Sequence, residues 1–446
     1  METLDLLRTG QLVGTQRLNL SCGLTTFPTE IFDLAETLEI LDLSNNHLTT
    51  LPDSFAHLRR LKIVFFNNNQ FETVPEVLSQ CPQLSMVGFK SNQIVTVPEN
   101  ALPTTTRWLI LTDNRVESLP ATLGNLSKLQ KLMLAGNRLS ALPDEMAACL
   151  NLELIRLSAN QFRQLPPWLF RLPRLAWLAF AGNPLGAGMT QPSDPLLPII
   201  DWADLTLGDL LGQGASGLIF RGQWHQGQTQ TEVAVKLFKG EITSDGFPPD
   251  EMRAALAAGT HHHLVTPLGQ VTNHPEQKNG LVFPLILPCY RVLGDPPSLE
   301  SCTRDTYAPD TEFSIASVLQ IARGMATAAV HLHRRGLMHG DLYPHNTLVS
   351  AAGDILLGDF GAASGYDPTD LALGEALERI EVRAFGCLLD DLLEHCPALT
   401  APEHAATLAR LHRLRQDCMQ PTLALRPRLA DIVNQLGGSP QGSAIK

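Results

Sequence analysis

Apolar positions recur with a fixed beat along the first 185 residues. LEILDLSNNHL begins at Leu38, LKIVFFNNNQF at Leu61, LSMVGFKSNQI at Leu84 and TRWLILTDNRV at Thr106. LQKLMLAGNRL, LELIRLSANQF and LAWLAFAGNPL follow from Leu129, Leu152 and Leu175. The interval is 23 residues, with one step of 22. Asparagines stand at 46, 69, 92, 114, 137, 160 and 183, and a proline follows six residues after each of the first six. A degenerate further unit, LNLSCGLTTFP, precedes them from Leu18. Alternating apolar residues within each unit predict a short strand whose leucines point inward. One such unit cannot bury its own apolar face, so eight units must stack and share a core. The repeated asparagines are placed to bond turn backbone and form a ladder.

The segments resemble the leucine-rich-repeat pattern LxxLxLxxNxL. That resemblance implies an α/β solenoid of horseshoe form over residues 1–185. In LxxLxL the third and fifth residues point out of the strand on its exposed side. They are Ile40 and Asp42, Ile63 and Phe65, Met86 and Gly88, Trp108 and Ile110, Lys131 and Met133, Leu154 and Arg156, Trp177 and Ala179. Nine of these fourteen are Ile, Leu, Met, Phe or Trp, and contiguous exposed apolar area marks a binding site. The stripe through Ile63, Phe65, Met86, Trp108, Ile110, Met133, Leu154 and Trp177 is predicted to grip a protein or peptide. Phe65, Trp108 and Trp177 would be its anchors. The competing expectation is that the chain's own second half, or a second copy, covers the stripe.

The beat stops at GAGMTQPSDPLLPIID, residues 186–201, rich in Gly, Pro and small polar residues. This predicts a linker over 186–203, a second domain over 204–437 and a tail over 438–446. LGQGASGLIFRG, from Leu211, has the GxGxxG spacing that dinucleotide-binding loops share. Such a loop needs strand, turn, then helix. Here LIFRGQWH, a turn and TEVAVKLF follow instead, which predicts a hairpin.

VAVK at 233–236, HGDLYPHN at 339–346, DFG at 359–361 and CMQPTLALRPRLADIVNQL at 418–436 complete a series that resembles the protein kinases. The likeness spans about 205–437 and implies an α+β bilobal domain using ATP and Mg²⁺. By that resemblance Leu211, Gly212, Gly214, Gly217, Ile219 and Ala234 line the nucleotide. Lys236 holds its phosphates and pairs with Glu251, Asp250 being the second candidate. Phe283 sits beside the adenine, Leu285 and Ile286 offer backbone hydrogen bonds, and Leu348 forms the floor. Asp341 accepts or orients the substrate hydroxyl's proton, while Asn346 and Asp359 hold the metal. A Ser/Thr protein kinase is the expected activity.

The chain also departs from that pattern. Gly340 replaces an arginine that pairs with a phosphorylated activation loop, and Tyr343 replaces a lysine near the transferred phosphate. Only about twenty residues separate Asp359 from Glu381, which stands where an Asp is usual, and no A-P-E is present to pair Arg426. Activity independent of activation-loop phosphorylation is expected, with Ser364, Tyr366 and Thr369 as remaining modification candidates. Losing the lysine is expected to slow transfer by roughly one to two powers of ten. Two other readings stand beside this one: a nucleotide-binding pseudokinase scaffold, and a small-molecule kinase. HGDLxxxN also resembles aminoglycoside and choline kinases, but their nucleotide loops lack this GxGxxG, and they lack the Arg-Pro helix. The histidines 261–263 are expected to end a helix as a surface loop.

Composition narrows the setting. A net charge of −12 argues against nucleic acid as the main partner. No apolar run approaches the eighteen or so residues of a membrane helix, the longest candidate being GLVFPLILPCY at 280–290. The N-terminus carries no secretory pattern. Eight scattered cysteines form no CxxC pair, so reduced thiols in a cytoplasmic protein are expected.

Overall fold

A computed structural model describes residues 2–186, 198–397 and 402–437. The chain divides into two compact units, Met1–Leu172 and Pro173–Lys446.

In the first unit helix α1 (Glu2–Arg8) precedes seven three-residue strands. These are β1 (Arg17–Asn19), β2 (Ile40–Asp42), β3 (Ile63–Phe65), β4 (Met86–Gly88), β5 (Trp108–Ile110), β6 (Lys131–Met133) and β7 (Leu154–Arg156). Each pairs in parallel with the next, in register by one repeat. The middle side chain of every strand, from Leu18 to Ile155, is buried. The prolines account for the return path. Pro52, Pro75 and Pro120 sit extended just before short 3₁₀ turns, where a missing N–H costs nothing.

The asparagine ladder forms as the spacing implies. Asn137 donates through Nδ2 to the carbonyls of Leu111 (2.8 Å) and Leu134 (3.0 Å) and accepts from the Val116 amide at 3.0 Å. Asn46 and Asn69 do the same one repeat apart. Each rung ties two turns together, so buried carbonyls that no strand can satisfy are paired. The residue before each rung is left-handed: Asn45, Asn68, Ser91, Asp113, Gly136, Ala159 and Gly182 all have φ between 52° and 72°. Asn, Asp, Ser and Gly dominate that position because they tolerate it best.

The outward row of the strands is less open than the pattern suggests. Parallel pairing sets successive side chains shoulder to shoulder. A Cβ on Gly88 would stand 2.6 Å from the Phe65 ring, so Phe65 lies over that glycine. The Lys131 ammonium sits 4.2 Å from the Trp108 ring centre. Of the eight predicted partner-binding residues, Phe65, Trp108 and Ile110 keep partial exposure. Ile63, Met86, Met133 and Leu154 are buried and so are not the accessible grips expected. Trp177 lies in the second unit.

That unit starts before the predicted linker, with the last repeat and its strand β8 (Trp177–Ala179). Residues 187–197 of the linker, and the tail from 438, lie outside the described residues. The linker's end is no linker: β9 (Ile199–Asp201) pairs in parallel with Gln270–Thr272. It closes a six-stranded sheet with β10 (Leu205–Gln213), β11 (Gly217–Gln226), β12 (Thr229–Phe238), β13 (Gly269–Thr272) and β14 (Gly280–Pro284), in the order β10-β11-β12-β14-β13-β9. Ile200, Val233, Val235, Val271 and Val282 fill its core. Helix α2 (Pro248–Ala258) falls between β12 and β13.

The rest is mainly helical. It carries β15 (Tyr290–Val292), α3 (Ile315–Arg334), β16 (Leu337–Met338), β17 (Thr347–Ser350), β18 (Ile355–Leu357) and β19 (Ser364–Gly365). Helices α4 (Leu371–Glu394), α5 (Pro402–Cys418) and α6 (Leu429–Gln435) complete it. Helix α3 is long and apolar enough to cross a membrane, a candidate the sequence reading passed over. Its apolar face is spent on the unit's core, where Val318, Ile321, Met325 and Leu332 are buried. Helix α4 starts at Leu371, so only a short segment separates it from Asp359.

Candidate active site

The glycine-rich stretch forms the hairpin between β10 and β11, with Gly212 opposite Ile219. The Gly214 amide closes the turn on the Gly217 carbonyl at 3.0 Å. A Cβ on Gly217 would stand 2.6 Å from the Leu237 carbonyl oxygen, so only glycine fits there. Gly212 and Gly214 have open space around them, and Leu211 is half-exposed beside them. Next on the sheet, β12 sets Ala234 against Phe283 and Lys236 between Ile219 and Leu281. Leu285 and Ile286 follow the end of β14 and are half-buried. Leu348, on β17, lies opposite Leu356 of β18.

The Lys236 ammonium forms an ion pair with the Glu251 carboxylate on α2. Asp250, the alternative, is taken by Arg253 instead. Burial raises the Glu251 pKa; Lys236 pulls the other way, and the nearby Asp359 charge adds to the rise. The pair is therefore held where its carboxylate is costly to charge without the lysine.

The loop from His339 to Asn346 lies between β16 and β17. Asn346 donates through Nδ2 to Asp341 Oδ2 at 2.8 Å and to the Asp341 carbonyl at 3.1 Å. Its Oδ1 is thereby turned away from Asp341. Gly358 donates its amide to the Asn346 carbonyl at 3.0 Å, which brings Asp359 to the same place. Asp359 has φ 55° and its carboxylate accepts from the Gly361 amide at 3.1 Å. Asp341 and Asn346 are half-exposed and Asp359 is exposed. An exposed carboxylate and an amide oxygen are hard donors, the chemistry Mg²⁺ requires.

The sequence comparisons agree with this geometry. A family model described as protein tyrosine and serine/threonine kinase matches residues 205–384. One described as leucine rich repeat matches 36–94, 104–162 and 127–185. Cyclin-dependent kinase 10 of Homo sapiens is 28% identical over 211 residues, 42% of this chain and 54% of that protein. Fibroblast growth factor receptor 1 of Xenopus laevis is 25% identical over 203 residues, 42% of this chain and 24% of the receptor. The chain thus spans about half the length of the first of these relatives, or less. Among solved structures, a leucine-rich-repeat protein of Leptospira interrogans is 28% identical, with TM-score 0.34, over 39% of this chain and 50% of that one. This chain joins leucine-rich repeats to a protein-kinase domain.

Within the kinase domain several departures acquire physical reasons. Gly340 has φ +74°, and a Cβ there would stand 2.5 Å from the Leu178 carbonyl and 2.8 Å from that of Ala362. No arginine could occupy it. Its amide instead donates to Glu381 Oε1 at 2.7 Å. Glu381 Oε2 lies 2.8 Å from His333 Nε2, and His333 Nδ1 lies 2.8 Å from the Tyr366 hydroxyl. Tyr343 is buried, donating its hydroxyl to the Thr303 carbonyl at 2.8 Å. Arg426 is also buried. It donates to the carbonyls of Gln420 (2.8 Å), Arg379 (3.0 Å) and Pro173 (3.0 Å) where a carboxylate partner is usual. Burial, with Arg383 nearby, lowers its pKa to about 10.

Two expectations fail. Ser364 and Tyr366 are buried and hydrogen-bonded, so of the three modification candidates only Thr369 is exposed. His263 is not on the surface either. It is buried with Nδ1 at 3.2 Å from the Ile355 carbonyl, while burial lowers the His261 pKa to about 3.

One polar pair in the site escaped the sequence reading. His345 Nδ1 lies 2.8 Å from Asp305 Oδ1, and its amide donates to Asp305 Oδ2 at 2.7 Å. Burial pulls the imidazole pKa down, but the bond and charge of Asp305, with Asp341 and Asp359, raise it on balance. Asp305 sits in no motif, forty residues upstream.

Proposed function

We propose that the kinase domain transfers the γ-phosphoryl group of ATP to a serine or threonine hydroxyl of a protein. The repeats recruit that protein. The observation that carries this reading is the assembly of the Lys236–Glu251 pair with Asp341, Asn346 and Asp359. The substrate oxygen bonds to the γ-phosphorus while the bond to the leaving ADP oxygen breaks, and Asp341 orients the hydroxyl and takes its proton. Lys236 neutralises the α- and β-phosphates, and the glycine hairpin covers them. Mg²⁺, when bound by Asp359 and Asn346, supplies charge neutralisation between the phosphates. The matched family spans both acceptor types. Phosphoamino-acid analysis of the labelled product checks the finer assignment, and label on tyrosine alone would overturn it.

A nucleotide-binding scaffold is favoured by one observation: Tyr343 puts a buried aromatic where a lysine is usual. Against it stands the retention of Lys236, Glu251, Asp341, Asn346 and Asp359. The net charge of −12 supports a protein partner over nucleic acid. Eight scattered cysteines with no CxxC pair support a cytoplasmic setting.

The proposed recruiting surface is Phe65, Trp108 and Ile110, and their partial exposure within the apolar row supports it. Replacing Phe65 and Trp108 together with serine is expected to weaken capture of the phosphorylated protein by roughly a hundredfold, as loss of two aromatic anchors does. Transfer to a generic protein should be unchanged. Equal capture by the double variant would remove the repeats from substrate choice.

A further inference from the structure

The last repeat is built into the kinase domain. The Trp177 indole stacks on Tyr343, ring centres 4.5 Å apart and planes 7° apart, and is 1% exposed. Its Nε1 reaches the Leu342 carbonyl at 3.5 Å. The Leu178 carbonyl occupies the space a side chain at residue 340 would need. The Phe180 amide donates to Ser364 Oγ at 2.8 Å, and Ser364 also reaches the Ala362 carbonyl at 3.2 Å. Upstream, Arg426 and Arg383 hold the carbonyls of Pro173 and Arg174, each at 3.0 Å. One short segment therefore touches the catalytic loop, the residues after D-F-G and the guanidinium that lacks a carboxylate.

Three departures from the kinase pattern share this cause. Gly340 makes room for the strand. Tyr343 offers it a flat ring in place of a flexible ammonium. The shortened stretch after Asp359 leaves Ser364 to accept its amide. Order in the loop then needs no added phosphate. The packing also leaves the reacting side open, since Asp341 and Asn346 are half-exposed and Asp359 exposed. The segment lies against the back of the loop and does not cover it.

We propose that residues 173–180 are a built-in strut for the catalytic loop, with Trp177 as a positioning residue for phosphoryl transfer. The strut takes over the ordering that a phosphorylated activation segment and the loop arginine provide in the kinase pattern. The inference rests on the phosphotransfer reading above. A misplaced loop costs rate rather than nucleotide affinity, because Lys236 and the glycine hairpin are held independently on β10 to β12.

The test uses the full chain with Trp177→Ala, Trp177→Phe and Ser364→Val. Trp177→Ala is expected to lower kcat by at least about tenfold, with the KM for ATP within about threefold of the wild type. Trp177→Phe keeps a flat ring and should recover most of the rate. Amide hydrogen exchange across 337–347 should accelerate in Trp177→Ala and Ser364→Val, while exchange in β12 stays as in the wild type. Unchanged kcat with unchanged loop exchange overturns the strut. So does a rise in kcat, which would make the segment an inhibitory latch. If the wild type transfers no phosphate, the phosphotransfer reading fails by itself. Loop exchange then decides the strut, and unchanged exchange in Trp177→Ala rejects it. Should Trp177→Ala fail to fold, Ser364→Val carries the loop-exchange readout, and exchange across 337–347 unchanged in that variant overturns the strut.

Discussion

Replacing Lys236 with methionine is expected to lower phosphoryl transfer by about 10²–10³-fold, the usual cost of removing one preorganised charge from the reacting phosphates. The same change reaches into the fold. Glu251 is buried, and Lys236 is its compensating charge. Removing one partner of a buried pair typically costs about 3–5 kcal/mol. With the lysine gone, the influence that lowers the Glu251 pKa disappears, and burial raises it further. The folded state then binds a proton that the unfolded chain releases. The variant's stability should therefore fall as pH rises above the ordinary carboxylate range and recover as pH drops through it. The double variant Lys236→Met with Glu251→Gln separates the two effects. It should regain stability at neutral pH and remain inactive. Urea unfolding at several pH values, with phosphate transfer measured alongside, checks both. Stability equal to wild type in the single variant would mean the pair is not desolvated as described.

The second large effect is structural. Arg426→Met is expected to destabilise the kinase domain by about 3 kcal/mol. Three part-buried carbonyls, of Gln420, Arg379 and Pro173, lose their donors. Each unsatisfied group costs about 1–3 kcal/mol, and relief from burying the guanidinium offsets part of the sum. Arg426→Lys should restore little, since one ammonium cannot reach three divergent acceptors. Equilibrium denaturation measures the loss; a change under about 0.5 kcal/mol, the size of an ordinary surface substitution, would show the carbonyls find other partners. Because one acceptor is Pro173, the variant should also loosen the segment leading into Trp177.

What the sequence made legible were features carried by local spacing. The repeat interval placed every strand of the first unit, and the asparagines bond as their spacing implied. The Lys236–Glu251 pair was legible through the kinase resemblance, and the short stretch of chain between strand and helix lets it form. Asp341, Asn346 and Asp359 were legible through the same resemblance, their motifs lying close together in the chain. Contacts that cross long stretches of chain were not. Trp177 and Tyr343 are 166 residues apart by number, and neither residue's neighbours hint at the other. Trp177 read as an anchor for a partner because alternation tells which side chains leave a strand, not what meets them. Gly340 read as a lost arginine, whereas its left-handed backbone and crowded surroundings demand glycine. Ile199–Asp201 read as linker because three residues beside prolines carry no period, yet they add a strand to the sheet. Helix α3 shows the converse limit: its composition suits a membrane as well as a core, and only packing distinguishes them.

The central claim is that this unusual loop still moves phosphate. The most direct measurement is transfer of labelled γ-phosphate from Mg-ATP to the protein itself and to a generic protein substrate, with Asp341→Asn and Asp359→Ala in parallel. The account predicts label with the wild type and a loss of about 10²-fold or more in each variant. Wild-type protein that binds ATP yet incorporates no label, or variants that label as well as the wild type, would contradict it.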